Sequence, residues 1–219
     1  MSKLFQTILV ASLVGLPLVY LTIVYPSLPP VIPTHFGFDG KPNGFSDKQD
    51  MIWIVIAVTI LSILVYLLIR YLPRIDPKKT ASQSAGNMQK IGVAVVALMS
   101  AIAISILYAS QHGVISFNRL FNPIMGIFFI VVGNWMYNIK PNYFVGIRVP
   151  WTLENPDNWR ATHHMGSKLW VVGGILIAIC SPFLAGKTAE YFFIITTLGL
   201  AFIPIIYSFL YFNNNRTDT

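Results

Sequence analysis

Six apolar stretches, each near the length that crosses a bilayer, alternate with shorter polar segments along this chain. They run roughly Leu4–Tyr25, Met51–Leu72, Ile91–Ser110, Leu120–Ile139, Leu169–Ala185 and Tyr191–Phe212. About 20 apolar residues in a helix span the hydrocarbon core of a bilayer. The pattern therefore predicts an all-α polytopic membrane protein with six transmembrane helices. A short structured outward loop and an amphipathic helix in an inner loop complete it. One membrane domain, 1–219, is expected, with 26–50 as an extracytoplasmic loop and 140–168 as a cytoplasmic loop.

Composition agrees: hydrophobic residues make up 55% and charged residues 11%, against about 25% charged in soluble domains. The basic residues are distributed unevenly, which orients the bundle, because cytoplasmic loops accumulate Lys and Arg. With the N-terminus inside, Lys3, Arg70, Arg74, Lys78, Lys79, Lys90, Lys140, Arg148, Arg160, Lys168 and Arg216 are cytoplasmic. Only Lys41, Lys48, Arg119 and Lys187 fall outside. Both termini are thus expected in the cytoplasm of a bacterial cell, and the net charge of +7 reflects topology. No basic cluster is long enough to serve nucleic acid. The first span is too long for a cleaved signal and lacks a small-residue cleavage site, so it reads as an uncleaved anchor. Cys180 is the single cysteine, which excludes an intramolecular disulfide and a thiolate metal cluster.

No acidic or basic residue falls well inside the six runs, which argues against a proton-coupled pump or an ion channel. The polarity that remains, such as Thr22, Ser62, Ser100, Ser105, Thr196 and Thr197, suits hydrogen bonds between helices. Pro17, Pro182 and Pro204 remove backbone donors and bend helices. Gly133 and the pair Gly173–Gly174 bracket the inner loop and allow close helix approach.

In the outward loop, Pro26, Pro29, Pro30 and Pro33 hold the chain extended and end the first span near Tyr25. Asp39-Gly40 and Asn43-Gly44 are two turn signals, flanked by Phe36, Phe38 and Phe45, so a small hairpin or compact cap is expected. His35 with Asp39, Asp47 and Asp50 invites a metal reading, but the spacing matches no EF-hand loop, and no metal or other cofactor is assigned.

The inner loop is aromatic, basic and punctuated by proline. Asn155-Pro156-Asp157 marks a helix start: a capping side chain, proline at the first position, then a carboxylate at the positive dipole end. The helix should run from about Pro156 to Gly166, or continue into the fifth span. Trp159, His163, Gly166 and Trp170 share one face, and Arg160, His164 and Lys168 an adjacent one. Three readings follow. The helix lies at the interface with its tryptophans at headgroup depth; or Arg148, Trp151, Trp159 and Arg160 anchor a partner; or His163 is a general base oriented by Glu154 or Asp157. No activated Ser or Cys nucleophile accompanies the last, so no catalytic residue is assigned.

The stretch LPPVIPTHFGFDGKPNGFSDK resembles the short N-terminal domain of unknown function found in the SdpI family. The stretch GNWMYNIKPNYFVGIRVPWTLENPDNWRATHHMGSKLWVVGG resembles that family's second signature, approximately GN-x-m-x-x-x-k-p-N-x-x-x-G-I-R-t-P-W-T-L, an acidic stretch, W, then T-H-x-x-G. Arg148, Pro150, Trp151, Thr152, Leu153, Trp159, Thr162, His163 and Gly166 fall on it. Val149 stands where Thr is commoner, and His164 where a basic or polar residue is expected. Neither departure breaks the motif.

Members of that family include a bacterial immunity protein against the Sdp cannibalism toxin, a secreted antimicrobial peptide. The resemblance implies self-protection at the cytoplasmic membrane. For the founding member it also implies signalling, in which toxin-bound protein holds a cytosolic transcriptional repressor at the membrane. The expected partners are thus a secreted toxin peptide, a cytosolic repressor and membrane lipids, with no direct nucleic acid. The candidate ligand-binding residues, for toxin or partner, are His35, Phe36, Asn134, Asn142, Arg148, Trp151, Thr152, Trp159, Arg160 and His163. The alternatives are a small transporter or flippase subunit for peptide or lipid, and a membrane-embedded enzyme using His163.

Overall fold

The computed structural model describes residues 2–37, 41–75, 85–112 and 117–215. Phe38, the Asp39-Gly40 turn, Lys78, Lys79 and Arg216 lie outside these residues. Among the described residues, six helices are long and apolar enough to cross a membrane. These are α1 (Lys3–Val24), α2 (Asp50–Ile75), α3 (Ala85–His112), α4 (Phe117–Met136), α6 (Pro156–Cys180) and α7 (Gly186–Asn214), with the short α5 (Pro150–Glu154) before α6. The six spans expected from hydropathy are present, so residues 3 and 214 lie at the same end of the bundle.

The helices form two trios. In the first, α3 packs on α1 and α2; in the second, α6 packs on α4 and α7; α3 against α4 joins them. Tyr66, Val93 and Val96 form the centre of the first, covered by Leu9, Val10, Leu13 and Val14. Phe129, Ile177 and Leu200 form the centre of the second. The outward faces are apolar: Leu64, Ile127, Ile195 and Phe202 are exposed, as lipid-facing side chains should be. On α2 the exposed Trp53 and Tyr71 stand near opposite ends, roughly 27 Å apart at 1.5 Å per residue. That separation matches aromatic belts at the two faces of a bilayer. Arg74 lies over the Tyr71 ring, 5.2 Å from its centroid.

The 26–50 loop does form a hairpin, β1 (Val31–Phe36) against β2 (Pro42–Asp47), antiparallel. Its base is closed by the Lys48 N–H donating to the Pro30 carbonyl at 2.9 Å. Ile32 is fully buried with Leu21, Val24, Leu28, Met51, Val55 and Leu107, so the hairpin plugs the ends of α1, α2 and α3. The Ser110 hydroxyl donates to the Pro33 carbonyl and the Gln111 amide to Ser27, fixing it to α3.

One turn expectation is corrected. Asn43-Gly44 lies within β2, and the reversal falls earlier, where the Gly37 N–H reaches the Lys41 carbonyl. The reason is His35, paired across the strands with Gly44 at a register irregularity. A β-carbon at Gly44 would come within 2.8 Å of the His35 side chain, and Asn43 bonds the imidazole. These residues build an irregular strand pair.

Of the two expected courses, the inner-loop helix takes the second and continues into the fifth span as one helix, α6. Nothing between Gly166 and Leu169 breaks it, and a single glycine is tolerated in a helix interior. At 25 residues it is about 37 Å long, longer than the hydrocarbon core, so its first turns project beyond the apolar run. It ends at a 3₁₀ turn, Ser181–Phe183, with Pro182 at its second position.

Small residues let α4 and α6 touch backbone to backbone. A β-carbon at Gly126 would lie 2.6 Å from the Gly174 carbonyl oxygen, and one at Gly174 2.6 Å from that of Gly126. One turn pair along, Gly133 faces Trp170, Val171 and Ser167.

One contact between α6 and α7 is polar. Pro204 has no N–H, so the carbonyl of Leu200, four residues earlier, has no helical donor. The Trp170 indole N–H supplies one, at 2.8 Å. Apolar surroundings offer no water as a replacement. Trp170→Phe should therefore lower stability by about 1–3 kcal/mol, read as an earlier midpoint in a denaturant titration of the detergent-solubilised protein. In a Pro204→Ala background, where an N–H refills the carbonyl, the same change should cost less.

Candidate functional site

The segment from Tyr137 to Val149 leaves the end of α4 and folds back over the start of α6. Asn142 organises it. Its side-chain amide donates to the carbonyls of Lys140 (2.9 Å) and Val145 (3.0 Å), while its Oδ1 accepts from the N–H groups of Phe144 (2.9 Å) and Val145 (2.8 Å). Both donors and the acceptor of this buried amide are used, so it specifies one loop shape.

The loop then closes on α6 through two rings. The Trp159 indole N–H donates to the Ile139 carbonyl at 2.8 Å. The imidazole of His163 stacks on Trp159 with centroids 4.0 Å apart. Its Nε2 accepts from the Ile147 N–H at 3.0 Å, and its Nδ1 faces the Trp159 carbonyl at 2.8 Å. A backbone N–H can only donate and a carbonyl can only accept, so the ring is neutral with its proton on Nδ1. Gly146, at φ +123°, makes this possible. A β-carbon there would overlap His163 Nε2 and approach Trp159 to 3.1 Å.

A second clasp ties this end to α7. The Trp151 indole donates to the Ser208 hydroxyl at 2.8 Å, which in turn donates to the Ile205 carbonyl. The Asn158 amide donates to the Ser208 carbonyl at 3.0 Å, and Asn158 Oδ1 accepts from Thr162 at 2.9 Å. Asn158, Thr162 and Ser208 are all completely buried. Thr152, also buried, lies within 2.9 Å of the Ile147 and Val149 carbonyls and accepts from the Val149 N–H, locking α5. The predicted cap of α6 is present: Asn155 Oδ1 accepts from the Asp157 and Asn158 N–H groups.

The candidate residues thus divide. Asn142, Thr152, Trp159 and His163 come together, but as the buried frame of the loop, and Trp151 is half-buried against Phe209 and Phe212. Trp159, at 1% exposure, is neither a headgroup anchor nor a surface for a partner, which corrects both readings. The imidazole of His163 has both nitrogens engaged and leaves none to take a proton from a substrate, so the general-base geometry with Glu154 or Asp157 is not formed. Arg148 and Arg160 remain exposed; the Arg148 guanidinium donates to the Tyr143 carbonyl. Asn134 is exposed on α4. His35 and Phe36 sit at the opposite end, since α3 meets the hairpin at Ser110 and the inner loop at Asn87, roughly 35 Å apart. Among the described residues no group of three His, Cys, Asp or Glu side chains could hold a metal ion.

Sequence reasoning passed over Gly146, Asn158 and Ser208. Gly146 carried a signal, a glycine inside a loop of otherwise bulky residues. Ser208 carried none, because its partners are 50 and 57 residues away.

A six-span helical bundle, capped at one end by a hairpin and closed at the other by this hydrogen-bonded loop, is the class of protein these features define. Residues 138–208 match the SdpI/YfhL protein family. Residues 12–60, spanning the hairpin, match a domain of unknown function, DUF1648. Together these cover more than half of the chain. It is 28% identical over 188 residues to "Immunity protein SdpI" of Bacillus subtilis (strain 168), covering 85% of each chain. No solved structure matches it.

Proposed function

We propose that this protein confers immunity to a secreted Sdp-type antimicrobial peptide at the bacterial cytoplasmic membrane. The observation that carries this reading is the similarity to the Bacillus subtilis immunity protein along 85% of both chains, which takes in both ends of the bundle. The basic residues orient it with the hairpin outside and both termini in the cytoplasm. The toxin peptide is met by the hairpin, with His35 and Phe36, and by the outer ends of the spans.

The finer part of the proposal is signalling, in which the toxin-bound protein holds a cytosolic repressor through the inner loop, with Arg148 as the first contact. A ligand outside alters the inner surface only by favouring one arrangement of the bundle over another.

The test is survival of a toxin-sensitive bacterium expressing this chain and challenged with purified Sdp-type peptide, with membrane insertion measured in the same cells. Protection is expected, and Arg148→Ala should abolish it without loss of inserted protein. Normal insertion of the unaltered chain with no protection would overturn the immunity reading. Protection that survives Arg148→Ala would remove that residue from it.

A further inference from the structure

A polar cavity lies at this end of the bundle. It measures about 340 Å³ and lies between the segment Tyr137–Pro141 and the first two turns of α6. Three basic side chains line it, Lys140 from the loop and Arg160 and His164 from the helix, against one carboxylate, Asp157. The buried Trp159–His163 stack forms its floor and presents no charge. One wall is flat, because the Tyr137 and His164 rings stack with centroids 3.8 Å apart and an interplanar angle of 2°. Lys168 lies four residues beyond His164 on the same helix face and adds a second lysine to the row.

This is not a bare helix end. The Asp157 and Asn158 N–H groups bond Asn155 Oδ1, and the Trp159 N–H bonds the Asn155 carbonyl. Whatever enters the cavity meets side chains. A guanidinium and an ammonium on facing walls suit a tetrahedral oxyanion, whose oxygens accept from both in charge-assisted bonds. The volume equals that of roughly ten water molecules, enough for a phosphate with a small substituent. The cavity also opens where α4 ends and Tyr137 is exposed, the level at which aromatic residues meet headgroups.

We propose that this cavity binds a phosphate group, carried by an anionic lipid headgroup or free in solution. The assignment does not depend on the immunity reading. The detergent-purified full chain is titrated with phosphatidylglycerol and with phosphatidylcholine, retained lipid being counted by native mass spectrometry. Inorganic phosphate is followed separately by ³¹P line broadening. If a lipid is the source, phosphatidylglycerol is retained in preference. The double variant Lys140→Gln, Arg160→Gln should then lose about tenfold in that preference, the equivalent of about 1.4 kcal/mol. If the source is free phosphate, the line broadening is lost in the double variant and neither lipid is preferred. Asp157→Asn should strengthen whichever binding is seen by a few-fold, a gain that damage to the fold would not produce. Retention and broadening unchanged by the double variant, or binding weakened by Asp157→Asn, would overturn the proposal.

Discussion

Replacing Gly146 with alanine should cost more than any other single-methyl change in this protein. At φ +123° an L side chain carries a backbone penalty of about 1–2 kcal/mol. The added methyl also overlaps His163 Nε2, the atom that accepts the Ile147 N–H. Moving the ring aside breaks that bond, leaves a buried donor unpaired at about 1–3 kcal/mol, and disturbs the stack on Trp159. The sum, about 4 kcal/mol, belongs to the exceptional tail of single substitutions. Gly186→Ala is the control, because φ is +56° there and nothing lies within 4 Å of the new β-carbon. It should cost only about 1–2 kcal/mol. Denaturant titration of both variants in one detergent measures the difference. Equal midpoints would mean that the loop does not close on His163 as described.

The second large effect is expected at the crossing of α4 and α6. A methyl at Gly174 meets the Gly126 carbonyl oxygen at 2.6 Å and the Ile130 N at 2.9 Å. The first of these atoms and the second are both backbone, so no rotamer change relieves the contact and the helices must separate. Overpacking of this kind costs about 1–3 kcal/mol, here at the upper end. Gly126→Ala should do the same, and the two together should cost less than their sum, because they disrupt one contact. Gly15→Ala, with nothing within 4 Å of its β-carbon, should instead be neutral or stabilise by up to about 1 kcal/mol. If Gly174→Ala and Gly15→Ala shift the midpoint alike, the close crossing is wrong.

Much of this architecture was legible in the sequence because the bilayer imposes a simple rule. Apolar runs near 20 residues gave the spans, and Asn155-Pro156-Asp157 gave the start of α6, since helix capping is local chemistry. The prolines and glycines of 26–50 gave a hairpin and two turn signals, of which Asn43-Gly44 lies within β2. Asn43-Gly44 has turn residues, yet here glycine serves the close approach of His35 across the strands. The inner loop was the hardest part. Trp159 and His163 are residue types suited equally to an interface, a binding surface or a core, and only their partners decide. Those partners are backbone atoms of Ile139 and Ile147, which no side-chain pattern announces. The continuity of α6 was obscured by hydropathy, because its first turns carry Arg160, His164 and Lys168 although their opposite face is buried.

The second clasp also implies an order of events during synthesis. Trp151 donates to Ser208, which lies 57 residues further along the chain, and Asn158 depends on the same residue. At about 5–20 residues per second, the ribosome needs roughly three to eleven seconds after Trp151 before Ser208 exists. Through that interval α5 and the start of α6 wait without their acceptors, while Trp159 and His163 are already able to gather the loop behind them. The residues of the first trio, the hairpin and the loop are thus all made, and free to assemble, before the last helix is complete. The arrival of α7 seals the structure, and a chain cut short before Ser208 should be recognised as unfinished at that end alone.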